Sequence, residues 1–250
     1  MNICSKKRFV NSIFKILHIK IMDFKKIKYI VFSFIVPFVL VSLYNYYHRY
    51  EKYVKIYDTE SNPKDYEAYN YRGNAYAVKF EQYKKAIKDF DKAIELNPEY
   101  IDAYNNRGLA YLELKQYDKA IENFNKAIEL RPEDAEFYNN RGIVYAKLEQ
   151  YDKAINEYDK IIELNPKDAI AYYYRGDFYA TLEQYDKAIN DYTKAIELNP
   201  RIDLIYYARG SVYYKLRKNY EALEDFKKAV GLDPIFCSFS PVSVLHPHCP

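Results

Sequence analysis

Between Tyr66 and Pro234 the apolar and polar positions recur as pairs of helical windows. In YDKAIENFNKAIEL, Tyr117 to Leu130, apolar residues fall at 117, 120, 121, 124, 127, 128 and 130, with Asp, Lys, Glu and Asn between them. That spacing puts one apolar stripe along an α-helix. A first window, about Tyr104 to Leu114, precedes it, and a turn at Lys115 and Gln116 joins the two. Gly73, Gly108, Gly142, Gly176 and Gly210 mark the first window and are spaced 35, 34, 34 and 34 residues apart. Each follows an Arg and is followed three residues later by Tyr. Ala86, Ala120, Ala154, Ala188 and Ala222 mark the second window, each with Phe or Tyr four residues later. Pro98, Pro132, Pro166, Pro200 and Pro234 close the units.

The spacing has a mechanical meaning. Two helices approach closely where one presents Gly or Ala, and the neighbouring Tyr or Phe fills the space beside that contact. The residue before each Pro leaves helical geometry, which ends the second helix and lets Pro begin the next. A helix pair this small cannot bury its apolar face alone, so the units stack. The predicted fold class is all-α, with units 66–100, 101–134, 135–168, 169–202 and 203–234.

The stretch YNNRGLAYLELKQYDKAIENFNKAIELRP resembles the tetratricopeptide repeat, with that family's Gly, Tyr, Ala, aromatic, Ala and Pro positions. The resemblance covers 169 of 250 residues. It implies an α-solenoid, a right-handed superhelix of five repeats whose first helices line a concave groove holding a partner peptide or helix. Departures are an extra residue near Val78 to Gln82, Ile161 in place of Ala, and Gly231 in the last helix.

With Tyr66 as position 1 of the first unit, positions 2, 5, 9 and 12 are expected to face that groove. Position 2 reads Glu67, Asp102, Glu136, Ile170 and Leu204; position 5 reads Asn70, Asn105, Asn139, Tyr173 and Tyr207. The groove is therefore expected to run from carboxylate and carboxamide to aromatic and aliphatic. Asn can pair with any peptide backbone, and Tyr173 and Tyr207 can anchor an apolar side chain. The partner so described has basic residues toward one end and an apolar anchor toward the other. The Lys and Arg clamp by which some members grip the acidic ends of heat-shock chaperones is absent, since Asn70, Asn74, Asn106, Glu136 and Asn140 stand there. Arg72, Arg107, Arg141, Arg175 and Arg209 are expected to pair with neighbouring carboxylates rather than to form a basic binding ladder.

A different pattern lies upstream. Residues 29–47, YIVFSFIVPFVLVSLYNYY, carry no charge and follow Lys25, Lys26 and Lys28. As a helix they would span about 28 Å, close to a bilayer core. The segment reads as one N-terminal transmembrane helix, uncleaved because no small-residue cleavage pattern follows it. Lys and Arg dominate before it, which predicts a single-pass protein with a cytoplasmic N-terminus and the repeats on the opposite side. Residues 1–28 read as a basic tail and 48–65 as a linker or degenerate capping helix. Residues 235–250, with three Pro and no Asp, Glu, Lys or Arg, read as a disordered tail. The last hairpin then lacks a cap, and a homo-oligomer formed through it is one alternative. A cleaved, exported assembly factor is another.

Charge changes the picture in one respect. Residues 1–49 hold nine Lys or Arg against Asp23 alone, +8, so the net charge of +3 leaves 3 − 8 = −5 for the rest. An acidic body does not favour nucleic acid. Cys4, Cys237 and Cys249 and all four His lie outside the repeats, and no phosphate loop, metal motif or nucleophile elbow is present. The expectation is a binding scaffold without cofactor, not an enzyme.

Overall fold

The computed structural model describes residues 65–233 and 235. They form ten α-helices and, among the described residues, no strand: α1 Tyr66–Phe80, α2 Tyr83–Leu96, α3 Ile101–Glu113, α4 Tyr117–Leu130, α5 Ala135–Lys147, α6 Tyr151–Leu164, α7 Ala169–Thr181, α8 Tyr185–Leu198, α9 Asp203–Lys215 and α10 Asn219–Leu232. The chain divides into two compact units, Met1–Lys115 and Gln116–Pro250. In unit 1, α2 packs on both α1 and α3. In unit 2, α5–α6, α7–α8 and α9–α10 are hairpins, and α4 on α5, α6 on α7 and α8 on α9 extend the stack.

Local chemistry sets the helix ends. Asp65, Asp134 and Asp168 cap α1, α5 and α7 by accepting backbone N–H bonds from Glu67, Glu136, and both Ile170 and Ala171. The turns into the second helices use Glu81, Lys115, Glu149, Glu183 and Arg217 at φ between 52 and 59°. Each holds left-handed backbone that glycine would adopt at lower cost. Asn97, Asn165 and Asn199 end their helices in extended or near-extended geometry before Pro, as the sequence predicts, and their side-chain oxygens accept from Glu99, Lys167 and Arg201 N–H. Pro98, Pro132 and Pro166 do not begin the next helix, however. They lie in the turn, and the helix starts three residues later. The extra residue of the first repeat lengthens a helix rather than a loop: α1 has 15 residues where α3 has 13.

Glycine is required where rings press on the first helices. A Cβ on Gly73 would lie 2.6 Å from the Phe90 ring, on Gly176 2.9 Å from Tyr192, and on Gly210 2.8 Å from Phe226. Around these contacts Ala86, Ala93, Ala188, Ala195, Ala222 and Ala229 are fully buried. Gly231 has nothing within 4 Å of its missing Cβ, so no packing demands it.

The single-pass membrane placement is corrected here. No helix among the described residues is long and apolar enough to cross a membrane. The ten helices have 13 to 15 residues, about 20 to 23 Å, against a hydrocarbon core of about 30 Å. The tail 1–28 and the segment 29–47 lie outside the described residues, as do 48–64, Pro234 and 236–250. The membrane reading therefore has no structural support and is not carried further.

Candidate functional site

The Arg row is structural, as its place beside the packing Gly predicts. Arg72 forks onto Asp89 through Nε and NH2 at 2.8 and 2.7 Å; Arg175 does the same to Asp191, and Arg209 to Asp225. The carboxylate sits on the second helix of the same repeat. The remaining nitrogen reaches back to the preceding second helix: Arg107 to Asp91, Arg141 to Asn125, Arg175 to Asp159 and Arg209 to Thr193, always 16 residues earlier. Each Arg so placed thus ties one hairpin to the previous one. In the third repeat the partner is Glu157, one methylene longer, which meets only NH2, at 2.8 Å, and leaves the buried Arg141 Nε unpaired. Burial pushes the Glu157 carboxyl upward, with the Arg141 bond opposing it.

The sequence-predicted groove residues divide in two. All five position-2 residues, Glu67, Asp102, Glu136, Ile170 and Leu204, are exposed. Position 5 departs from expectation in unit 1, where Asn70 and Asn105 are buried. The Asn70 amide donates to the Tyr100 hydroxyl at 3.2 Å and its oxygen accepts from the Asn106 amide at 3.0 Å. It is therefore engaged within the fold rather than offered to a peptide backbone. In unit 2, Asn139 is partly buried and accepts from the Tyr158 hydroxyl at 3.0 Å. Tyr173 and Tyr207 are partly exposed, stacked at a tilt against Tyr192 and Phe226.

Position 9 supplies a residue not singled out from the sequence. Asp177 stands one turn beyond Tyr173 on α7, partly buried, and accepts from the Tyr192 hydroxyl at 2.6 Å. Burial raises its carboxyl above the ordinary range, partly offset by the nearby Tyr192 and Tyr173 hydroxyls. The signal was available: position 9 reads Asn74, Leu109, Ile143, Asp177 and Ser211, so a carboxylate occurs there once. Among the described residues, no group of His, Cys, Asp and Glu gathers as a metal site.

Family models for the TPR repeat match residues 80–115 and 108–149, and models for the tetratricopeptide repeat match 135–168, 169–202 and 204–236. The chain belongs to the tetratricopeptide repeat family. Among solved structures it is similar to MamA, at 27% identity and TM-score 0.61 over 67% of this chain and 97% of that one. It is also similar to YrrB, a TPR protein with an unusual peptide-binding site, at 27% identity and TM-score 0.58 over 72% and 92%. MamA from Desulfovibrio magneticus RS-1, residues 41 to the end, is 24% identical with TM-score 0.62 over 70% and 97%, a likeness of fold alone. No curated protein matches the chain. In tetratricopeptide repeat terms, the Gly, Ala and Arg rows build the repeat, while on α5, α7 and α9 position 2 is exposed and positions 5 and 9 are partly exposed.

Proposed function

We propose that this tetratricopeptide repeat chain is a protein-interaction scaffold, not an enzyme, and that it holds an extended peptide on the first-helix face of unit 2. The observation that carries the reading is the pairing of exposed aliphatic residues with half-exposed rings. Ile170 and Leu204 are 44% and 42% exposed at the same repeat position, and Tyr173 and Tyr207 lie one turn further on α7 and α9. A globular surface gains nothing from repeating that arrangement, whereas rigid aromatic anchors beside small apolar side chains are what a peptide-binding surface uses. Glu136 on α5 provides the carboxylate end of the expected gradient. The likeness to YrrB supports a peptide as ligand.

A dodecapeptide library displayed on phage, panned against the full chain and against a variant carrying Ile170→Glu and Leu204→Glu, tests this. Both positions are exposed, so the variant keeps its fold, which a helical melting curve checks. Sequences enriched on the parent protein and lost on the variant are expected. Equal enrichment on both, or none on the parent, rejects the face.

Self-association is a second reading with its own observation. Tyr220, Leu232 and Ile235 at the last hairpin are 76, 39 and 59% exposed, and a second copy could cover them. Light scattering of the parent and of Tyr220→Glu decides it: a concentration-dependent dimer in the parent alone supports the reading, and two monomers reject it.

A further inference from the structure

We propose that Asp177, framed by Tyr173, Tyr174 and Tyr192, is a cation subsite that takes a Lys or Arg side chain of the bound peptide. The inference rests on the peptide face just described and names the chemistry at its centre.

The buried carboxylates of the second helices are already neutralised. Asp89, Asp191, Asp225 and Glu157 are each bound by an Arg of the preceding helix. Asp177 differs. Its side chain accepts from the Tyr192 hydroxyl, and no Lys or Arg among the described residues forms an ion pair with it. Arg175, two residues away, is engaged by Asp191 and Asp159. An ionised carboxylate has room for about four acceptor contacts, so the Tyr192 hydroxyl leaves capacity for a donor arriving from solvent. A partly buried charge with no counter-charge is costly, and a ligand cation removes that cost by forming charge-assisted bonds.

The surroundings favour a cation over a neutral donor. The Tyr173 ring lies 5.2 Å from Tyr174 and 6.2 Å from Tyr192, and Tyr158 lies 5.5 Å from Tyr174. Electron-rich ring faces attract ammonium and guanidinium groups. Tyr174 is 40% exposed, so the cluster opens to solvent. Ile170, two turns earlier on the same face of α7, and Leu204 at the same position of α9 keep aliphatic surface exposed for neighbouring residues of the peptide. Asn74, Leu109, Ile143 and Ser211 at the equivalent positions carry no charge, so the subsite belongs to the fourth repeat.

The same displayed library is panned against the full chain, and a selected peptide is resynthesised with each Lys or Arg in turn replaced by norleucine. Binding is measured by calorimetry to the parent protein, to Asp177→Asn, and to Asp177→Ser, which installs the residue type found at Ser211. At least one replacement is expected to weaken binding to the parent by about tenfold. The same replacement should change binding to either variant by less than about twofold, the coupling expected when both changes remove one contact. Equal losses on parent and variants, or no loss on the parent, overturn the subsite. If Ile170→Glu with Leu204→Glu still abolishes binding in that case, the peptide face stands and only the cation assignment falls. A parent protein that selects no peptide overturns both.

Discussion

In unit 1 the fifth residues of the two first helices, Asn70 and Asn105, are 3 and 8% exposed, while in unit 2 their counterparts Tyr173 and Tyr207 keep part of each ring at the surface beside exposed Ile170 and Leu204. The backbone position is the same. What differs is side-chain length and the neighbours available: the short Asn70 amide folds into a bond with Tyr100 and Asn106, whereas a tyrosine ring extends past its helix. The first arrangement closes a joint between α1 and α3. The second leaves a surface for something else. Polarity of a repeat position therefore does not tell its exposure, and a row of residues at one register need not act as one row.

The largest effect should come from the frame that both faces share. Asp191→Ala removes the fork that holds Arg175, leaving a partly buried guanidinium bound only by Asp159. Breaking such a pair costs about 3 to 5 kcal/mol, and urea melts of the parent and variant read it. Loss of peptide selection at the unit 2 face should accompany it, because α7 is fixed by this pair. A destabilisation below about 1 kcal/mol would mean that the forks are surface-like in strength.

The contrast between the two faces predicts the next two effects. Asn70→Ala strands the Tyr100 hydroxyl and the Asn106 amide and should cost about 1 to 3 kcal/mol. Ile170→Ser, at the open face, should fall within about 0.5 kcal/mol of the parent while weakening peptide capture. Equal costs for the two would remove the distinction between closed joint and open surface. A smaller change with the opposite sign is expected from Glu157→Asp, which restores the geometry of Asp191 and Asp225 and gives Arg141 Nε its partner; a gain of about 1 kcal/mol in the same melts checks it.

Much of this was legible from residue types at fixed intervals. The Gly, Ala and Pro rows gave the hairpins, and the second helix of repeat two runs from Tyr117 to Leu130 as its apolar stripe predicts. The first helix was placed three residues late, at Tyr104 instead of Ile101, and Pro98, which was expected to be able to begin it, proved to be part of the turn. Arg pairing was readable, since an interval near 16 residues joins each Arg to a carboxylate on the next second helix in four repeats. What failed was the row of Asn. Burial of Asn70 depends on Tyr100 and Asn106, 30 and 36 residues away, and no periodicity within a repeat encodes that meeting. Asp177 was missed although it is the one carboxylate at position 9, because its burial beside the Tyr192 hydroxyl, with no Arg paired to it, is a tertiary fact that the position alone does not encode.

The smallest effect concerns Asp177 and pH. Burial holds its folded carboxyl above the ordinary value of 3.8, so in the interval between the two the folded chain keeps a proton that the unfolded chain has lost. The stability contributed by this group is therefore fully present below the unfolded value and is lost as pH rises through the folded value. Asp177→Asn cannot charge, so at neutral pH it should melt at or slightly above the parent temperature, with the difference vanishing on acidification toward pH about 4. Glu157 is also raised by burial, so a plain acid titration mixes the two groups, and only the difference between parent and Asp177→Asn isolates one. A Lys-bearing peptide pulls in the opposite direction. It binds the charged carboxylate, releases the proton on binding, and should lose affinity for the parent as pH falls through the same interval, while Asp177→Asn shows no such loss. Parallel pH profiles for parent and variant would place the titrating group elsewhere and leave Asp177 as an internal acceptor for Tyr192.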